Sequence, residues 1–429
     1  MRTNRFFSAV ALIAAVGLGG INATPAEGQL ANASAASLGL SGNNTATARG
    51  FSAISVNPAG LGMPGSGFSL ALMGVQGRSG LDPLNLADFN DVAGTLMSAA
   101  VKDNWLSRID AAGGLSGSFG AEVSEIALTM GNFGLQVSTV VGGSVTLPTG
   151  IAEAMLYGNA GRTGSPTDLS LSGASIDGFA ISTAGLSLAF PMSSPSGDMA
   201  IGATFKYSVG HGVAVGRSTA GSVQSNPIRV DVDFPIVLTS EAADFANGGK
   251  GIGLDLGFMM KQGNLSFGAS IQNAVNTFAW EEGELAYRPI DVEFEQSTSS
   301  AETDEQAYAG APATLKALVT AMTIKPSLQV GAALDLSDDL TISGDLHNRF
   351  SDGGIAFTPK FHLGAGAEFR GLKVIHLRGG AAIITDGIQY SGGLSLVLGP
   401  VNLSAAAAVQ TGDLGENFLG QFTFSLGNR

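Results

Sequence analysis

The sequence predicts an all-β protein: a transmembrane antiparallel β-barrel of about 14 strands (roughly 12 to 16), with an N-terminal hatch-like segment and short helical inserts. Three observations carry that expectation. The 429 residues are poor in charge, at 13%, and rich in glycine, with 62. The N-terminus is built like an export signal. The rest alternates apolar and polar residues with a period of two, and no apolar run is long enough for a spanning helix.

Charged residues make up about a quarter of an ordinary soluble domain, and glycine about 7%. A protein of this length in water normally covers itself with charge. One whose outer face meets lipid need not. The formal net charge of −14 argues against a nucleic-acid partner, because neutralising phosphate needs clustered Lys and Arg. The absence of cysteine excludes a disulfide framework and thiolate metal sites.

Arg2 and Arg5 precede an apolar stretch from Phe6 to Leu18, and Ala26-Glu27-Gly28 fits a small-residue cleavage site. Residues 1–28 therefore read as a signal peptide, too short to span a bilayer. Residues 29–62 read as an N-terminal plug and residues 63–429 as the barrel, exported to the cell outer membrane of a diderm bacterium. Outer-membrane lipid is then the first partner. If the mature chain sits in a membrane it must do so as a closed sheet, because lipid offers no hydrogen bonds to free backbone groups.

The alternation is regular. Leu265, Phe267, Ala269 and Ile271 alternate with Ser266, Gly268, Ser270 and Gln272. Leu328, Val330, Ala332, Leu334 and Leu336 alternate with Gln329, Gly331, Ala333 and Asp335. Phe133 to Val141, Val401 to Gln410 and Gln421 to Leu426 follow the same rule. Turn residues separate such runs, as at Gly131-Asn132, Gly263-Asn264, Asp338-Asp339 and Gly399-Pro400. Strands are expected over 323–336, 338–350, 357–370, 372–384, 387–398, 400–411 and 417–427. Alternation alone does not say whether the apolar face points to a core or to lipid. Low charge and the export signal favour lipid.

Three regions depart from the pattern. Residues 29–62 are small and polar without sustained alternation. Residues 84–110 read as helical, with Leu86, Phe89, Val92, Ala93, Leu96 and Met97 at helical spacing. Residues 148–160 read as a second short helix after Pro148.

The stretch from Ala36 to Leu61 ends in Asn57-Pro58-Ala59-Gly60-Leu61, and a strand is expected next, over 65–77. This arrangement resembles the start of FadL-like and PorV-like outer-membrane barrels, where a small-residue stretch and an N-P-A-G-L motif precede the first strand. Gly251-Ile252-Gly253-Leu254-Asp255-Leu256-Gly257, followed by Leu265 to Asn273, resembles a hairpin of the PorV-like members. Residues 103–200 look most like the DUF5723-type branch. Arg49 stands where the family pattern has acids, and the chain ends Gly427-Asn428-Arg429 rather than on an aromatic residue.

The resemblance implies a hatch seated in the lumen, with Asn43, Asn44, Arg49, Asn57, Pro58 and Gly60 as candidate hatch or ligand residues. The local reading of Asn57-Pro58-Ala59-Gly60 is a tight turn in which Pro58 fixes φ and Gly60 supplies a positive one. Two functions follow from the resemblance. One is a passive channel or uptake protein for a hydrophobic or amphipathic small-molecule ligand. The other is a PorV-like interaction barrel serving secretion or surface anchoring of an exported protein partner.

His211, His347, His362 and His376 fall in expected strands and read as lumen-facing polar residues. No nucleophile accompanies His347, Arg349 and Asp345, so no enzyme activity is expected, and no cofactor motif is present. The acidic stretch 281–305 reads as a solvated outer loop. Its carboxylates Glu281, Glu282 and Glu284 are weak metal candidates without EF-hand spacing.

Overall fold

The structure, a computed structural model, describes residues 30–427 except Ala33, 159–160, 164–167, 195–196, 226–227, 296–297, 351–358, 386 and 413–414. The expected signal peptide lies outside the described residues.

Among the described residues, fourteen antiparallel strands close into one barrel. They are β1 (Ser69–Asp82), β2 (Leu115–Met130), β3 (Phe133–Leu147), β4 (Ser175–Ser194), β5 (Gly197–Arg217), β6 (Gly249–Gln262) and β7 (Leu265–Asn276). There follow β8 (Ser327–Ser337), β9 (Leu340–Arg349), β10 (Phe361–Leu372), β11 (Ile375–Ile384), β12 (Gly387–Leu398), β13 (Val401–Gly412) and β14 (Gly415–Gly427). Each pairs with its chain neighbour. β1 closes the ring on β14, with Ser69 opposite Gly427 and Leu81 opposite Glu416. Closure leaves no sheet edge in lipid, which is the condition for a spanning sheet.

The side chains settle which face is which. Gln136, Ser138 and Thr204 are fully buried, while Leu188, Phe205, Leu363 and Leu394 stand exposed on the other face. A soluble sandwich has the reverse arrangement. The polar face lines the lumen and the apolar face meets lipid, so the chain is an outer-membrane barrel.

Tight turns join β2–β3, β6–β7, β8–β9, β10–β11 and β12–β13 at one end, where β1 also begins and β14 ends. The long connections, β1–β2, β3–β4, β5–β6, β7–β8 and β9–β10, all lie at the other. Short turns mark the periplasmic end of such barrels. β1 starts four residues later than the 65–77 expectation, because Pro64 and Gly65 still belong to the turn leaving the lumen.

Inside the ring, residues 30–63 carry two short helices, α1 (Ala35–Gly39) and α2 (Phe51–Val56), and a 3-10 turn, Pro58–Gly62. The outer end is capped by α3 (Leu86–Val92), α4 (Ala99–Ala111) and α5 (Thr149–Tyr157). The helical expectation over 84–110 needs correction: Gly94, at φ +72°, breaks it, and Ser98 caps a new start. Leu96 is fully exposed; the cap packs instead through Leu84, Trp105, Leu106 and Ile109. Burial pushes the Asp88 carboxyl up, but its hydrogen bonds from Arg108 and the Asn85 backbone outweigh this and hold it below the usual range.

The acidic stretch is more ordered than a solvated loop. Leu285–Arg288 pairs with Ile236–Thr239, and Asp291–Glu295 pairs with Ile228–Asp233 and Thr298–Glu302 in an outer sheet. The β7–β8 connection then carries α6 (Ala313–Ala321) back over the barrel mouth. There Leu315, Val319, Phe278 and Trp280 pack on Phe179, Ile181, Val213 and Val215. Trp280 Nε1 donates to the Met322 carbonyl at 2.9 Å.

A charge on the apolar outer face near mid-membrane costs about 2–4 kcal/mol. Leu394, half exposed in the middle of β12, provides the test. Leu394→Arg is expected to lower unfolding stability in vesicles by about that amount. An unchanged urea midpoint would place this face away from lipid.

Candidate functional site

The candidate site is the lumen, where residues 30–63 are held by inward side chains from almost every part of the ring. The plug is too short and irregular to satisfy its own backbone, so wall side chains do it. Ala31 N–H donates to Ser138 Oγ of β3 at 3.1 Å. Ala35 N–H donates to Thr423 Oγ1 of β14 at 2.9 Å. Ser391 of β12 meets Ser41, Oγ to Oγ, at 2.7 Å. Gln272 Nε2 of β7 donates to the Ser55 carbonyl at 2.7 Å.

The tightest grip is on Asn43 to Thr45. Thr45 N–H donates to Asp345 Oδ2 at 2.8 Å, and Ser343 Oγ donates to the Asn43 carbonyl at 2.6 Å. His362 Nε2 lies 3.1 Å from Asn43 Oδ1. His347 stacks on His362 with ring centroids 4.5 Å apart, and its Nε2 is 3.2 Å from Asp345 Oδ2. Neutral hydrogen bonds contribute about 0.5–1.5 kcal/mol each and those to a carboxylate about 1.5–3. Thr45–Asp345 is thus the strongest single tie.

Close approach depends on glycine. A Cβ at Gly380 would lie 2.5 Å from the Leu40 carbonyl carbon, and one at Gly268 would lie 2.4 Å from the Thr45 carbonyl oxygen. Gly202 faces the Pro58–Ala59 backbone, and Gly257 faces Asn57 Oδ1, just as tightly. Much of the inner-wall glycine makes room for plug backbone.

The candidate residues divide. Asn57 caps the 3-10 turn, its Oδ1 accepting from Ala59 N–H at 3.2 Å. Its Nδ2 donates to the Thr45 carbonyl at 3.0 Å and to the Phe258 carbonyl of β6 at 3.1 Å. Pro58 opens that turn. Gly60 does not adopt a positive φ, which corrects the tight-turn expectation. It is glycine because a Cβ would lie 2.2 Å from the Ala48 carbonyl oxygen. Asn43 and Asn44 are buried, and Asn44 lines a cavity. Arg49 stays at the foot of the plug, where Nη1 donates to its neighbour's Ala48 carbonyl at 2.8 Å and also reaches Met259.

The histidines divide too. His347, His362 and His376 share inward register positions. His211 sits in a bulge and faces outward, against Ser182 and Phe245, contrary to expectation. Glu281, Glu282 and Glu284 flank one exposed turn, and among the described residues no three ligating side chains converge on a metal position.

Sequence reasoning missed Lys206. Its Nζ lies 2.6 Å from Asp255 Oδ1, with both side chains almost wholly buried. Asn273 N–H donates to the same oxygen at 2.7 Å, and Asn273 Oδ1 accepts from Lys206. Asp255 and Asn273 both belong to the hairpin pattern over 251–273. Lys206 is an inward residue of β5, and only the pairing of β5 with β6 shows its partner.

Between plug and wall lies a cavity of about 130 Å³. It is lined by Gln76, Gln272, Gln329, Gln389 and Gln410, by Ser37, Ser41 and Ser55 of the plug, and by Arg78 and Glu122. The inner wall of β3 to β5 changes along its height. Gln136, Ser138, Thr204 and Ser208 lie toward the periplasm; Val140, Phe179, Val213 and Val215 lie toward the mouth.

Fold and site together define a closed 14-strand outer-membrane barrel with an internal N-terminal plug. Residues 64–407 match the family described as "Family of unknown function (DUF5723)", and the chain belongs to it. Among solved structures, the toluene transporter TbuX of Ralstonia pickettii is similar at TM-score 0.54 and 14% identity, over 93% of this chain and 99% of that one. The toluene transporter TodX of P. putida is similar at 0.50 and 12%, over 93% and 99%. The CymD monoaromatic hydrocarbon channel is similar at 0.50 and 14%, over 93% and 98%. At these identities the likeness is one of fold. No curated protein matches the chain.

Gly380→Val is expected to push Leu40 off the wall, since carbon contacts need about 3.5–4.0 Å. Limited proteolysis in detergent should then cut within residues 30–63 while the barrel stays folded by its heat-modifiable gel mobility. Wild-type protection of that segment would contradict the docking described.

Proposed function

We propose that the chain is a passive uptake barrel for small amphipathic molecules, with residues 30–63 as its movable plug. The observation that carries the reading is the cavity between plug and wall, set below an apolar mouth. A molecule with an apolar and a polar part finds both surfaces in that order. The fold shared with proteins described as toluene transporters and a hydrocarbon channel supports passage of small molecules. The reading involves no chemical change: Asp345 and His347 serve to hold Thr45.

Many separate hydrogen bonds hold the plug, each weak enough to exchange with water or ligand. Passage therefore needs the plug to shift, and the test is to pin it. Ser41 and Ser391 touch Oγ to Oγ, and the chain has no cysteine. The double variant Ser41→Cys/Ser391→Cys should form a disulfide joining plug to β12. In proteoliposomes, uptake of a fluorescent short-chain amphiphile is expected to fall to the protein-free level on oxidation and to recover on reduction. Full uptake by the oxidised protein would defeat the proposal.

A further inference from the structure

We infer that Ser182 and His211 form a nucleophile–base pair on the lipid-facing wall that hydrolyses acyl esters of outer-leaflet amphiphiles. The site lies outside the lumen and is independent of the uptake reading.

The geometry begins with a bulge. Ile181 of β4 pairs with Gly210 and Ala180 pairs with Gly212, so His211 of β5 has no residue opposite it. A bulge re-aims the side chain it carries. The His211 ring turns onto the outer face, where Phe245 of the β5–β6 connection stacks on it with centroids 4.3 Å apart and planes 13° apart. Nδ1 lies 2.8 Å from the Phe245 carbonyl oxygen, and Nε2 lies 2.7 Å from Ser182 Oγ. Ser182 Oγ lies 2.7 Å from Thr139 Oγ1 of β3.

These contacts fix every proton. A carbonyl oxygen only accepts, so Nδ1 carries the hydrogen of the neutral ring and Nε2 is left as an acceptor. Ser182 O–H is its donor, and Thr139 O–H then donates to Ser182 Oγ. A serine hydroxyl aimed at a base, with the base held by a third group, is the arrangement that makes serine a nucleophile. All three side chains are half-buried, so the group is supported by the wall yet reachable from lipid.

Height on the wall names the substrate. Below Ser182 the outward residues of β4 are Ala184, Leu186, Leu188, Phe190 and Met192, and the last four are exposed. From Met192 to Ser182 the tilted strand rises about 25 Å, the height of the apolar band of such barrels. Ser182 therefore stands at the outer rim of that band, between acyl chains and water. Phe245, 72% exposed, marks the same level, as interfacial aromatics do. The ester carbonyl of an amphiphile lies at this boundary, and its chain runs down along Leu186 and Phe205.

Ser182 Oγ attacks the ester carbonyl carbon while its proton passes to His211 Nε2. Thr139 O–H, released from Ser182, is the donor within reach of the oxyanion. The bond from carbon to the alcohol oxygen breaks, and the alcohol leaves with the proton from His211. Water then attacks the acyl-serine, giving up a proton to His211, and the fatty acid departs as that proton returns to Ser182.

The test uses full-length protein in phosphatidylethanolamine vesicles, with released fatty acid and lysolipid as readout. A fluorophosphonate probe, located by peptide mass, reports the nucleophile separately. Wild type should release fatty acid and take the probe on Ser182. Ser182→Ala should lose both, and His211→Gln should slow both about 100-fold, the loss of one general base. Heat-modifiable mobility verifies that each variant folds. No release by folded wild type, release undiminished in Ser182→Ala, or labelling of Ser182 at the wild-type rate in His211→Gln would each overturn the inference.

Discussion

A chain segment inside a closed barrel can send its backbone N–H and C=O groups only to itself, to water or to the wall. Here much of residues 30–63 sends them to the wall. Asp345 takes the Thr45 amide, Asn57 joins the Thr45 carbonyl to that of Phe258, and Gln272 donates to Ser55. Much else follows from this. The inner face must carry short polar side chains at some positions and glycine at others. The outer face is left free to be apolar. The low charge and high glycine content are two consequences of one packing problem.

The barrel was legible because its signal is local. Period-two alternation needs no partner, and turn residues mark where each run stops. The strand expected at 387–398 occupies those residues, and its neighbours shift by a few residues only. The stretch at 84–110 is helical on both sides of a break at Gly94 that periodicity does not show. Gly60 was assigned the wrong reason, because a close approach to Ala48 and a positive φ look alike in sequence.

The site was less legible because its contacts are remote. Thr45 and Asp345 meet across 300 residues. Alternation placed Gln136, Gln272, Gln329, Gln410 and Gln421 on one face, but their convergence depends on ring closure. Lys206 and Asp255 lie on adjacent strands, and the register between those strands is what buries them together. The N-P-A-G-L motif marked the plug through family resemblance, and its physical role, Asn57 tying three carbonyl and amide groups, emerges only from the fold. The lumen that results is graded, apolar at the mouth and hydrogen-bonding below, and the proposed amphiphile path rests on that gradient.

The central claim is that residues 30–63 close the lumen from within. Conductance across planar bilayers measures this most directly, comparing the full chain with one lacking 30–63 whose barrel folding is verified by heat-modifiable mobility. The full chain should be nearly silent, and the deletion should carry a steady open current. Equal currents from the two would contradict it.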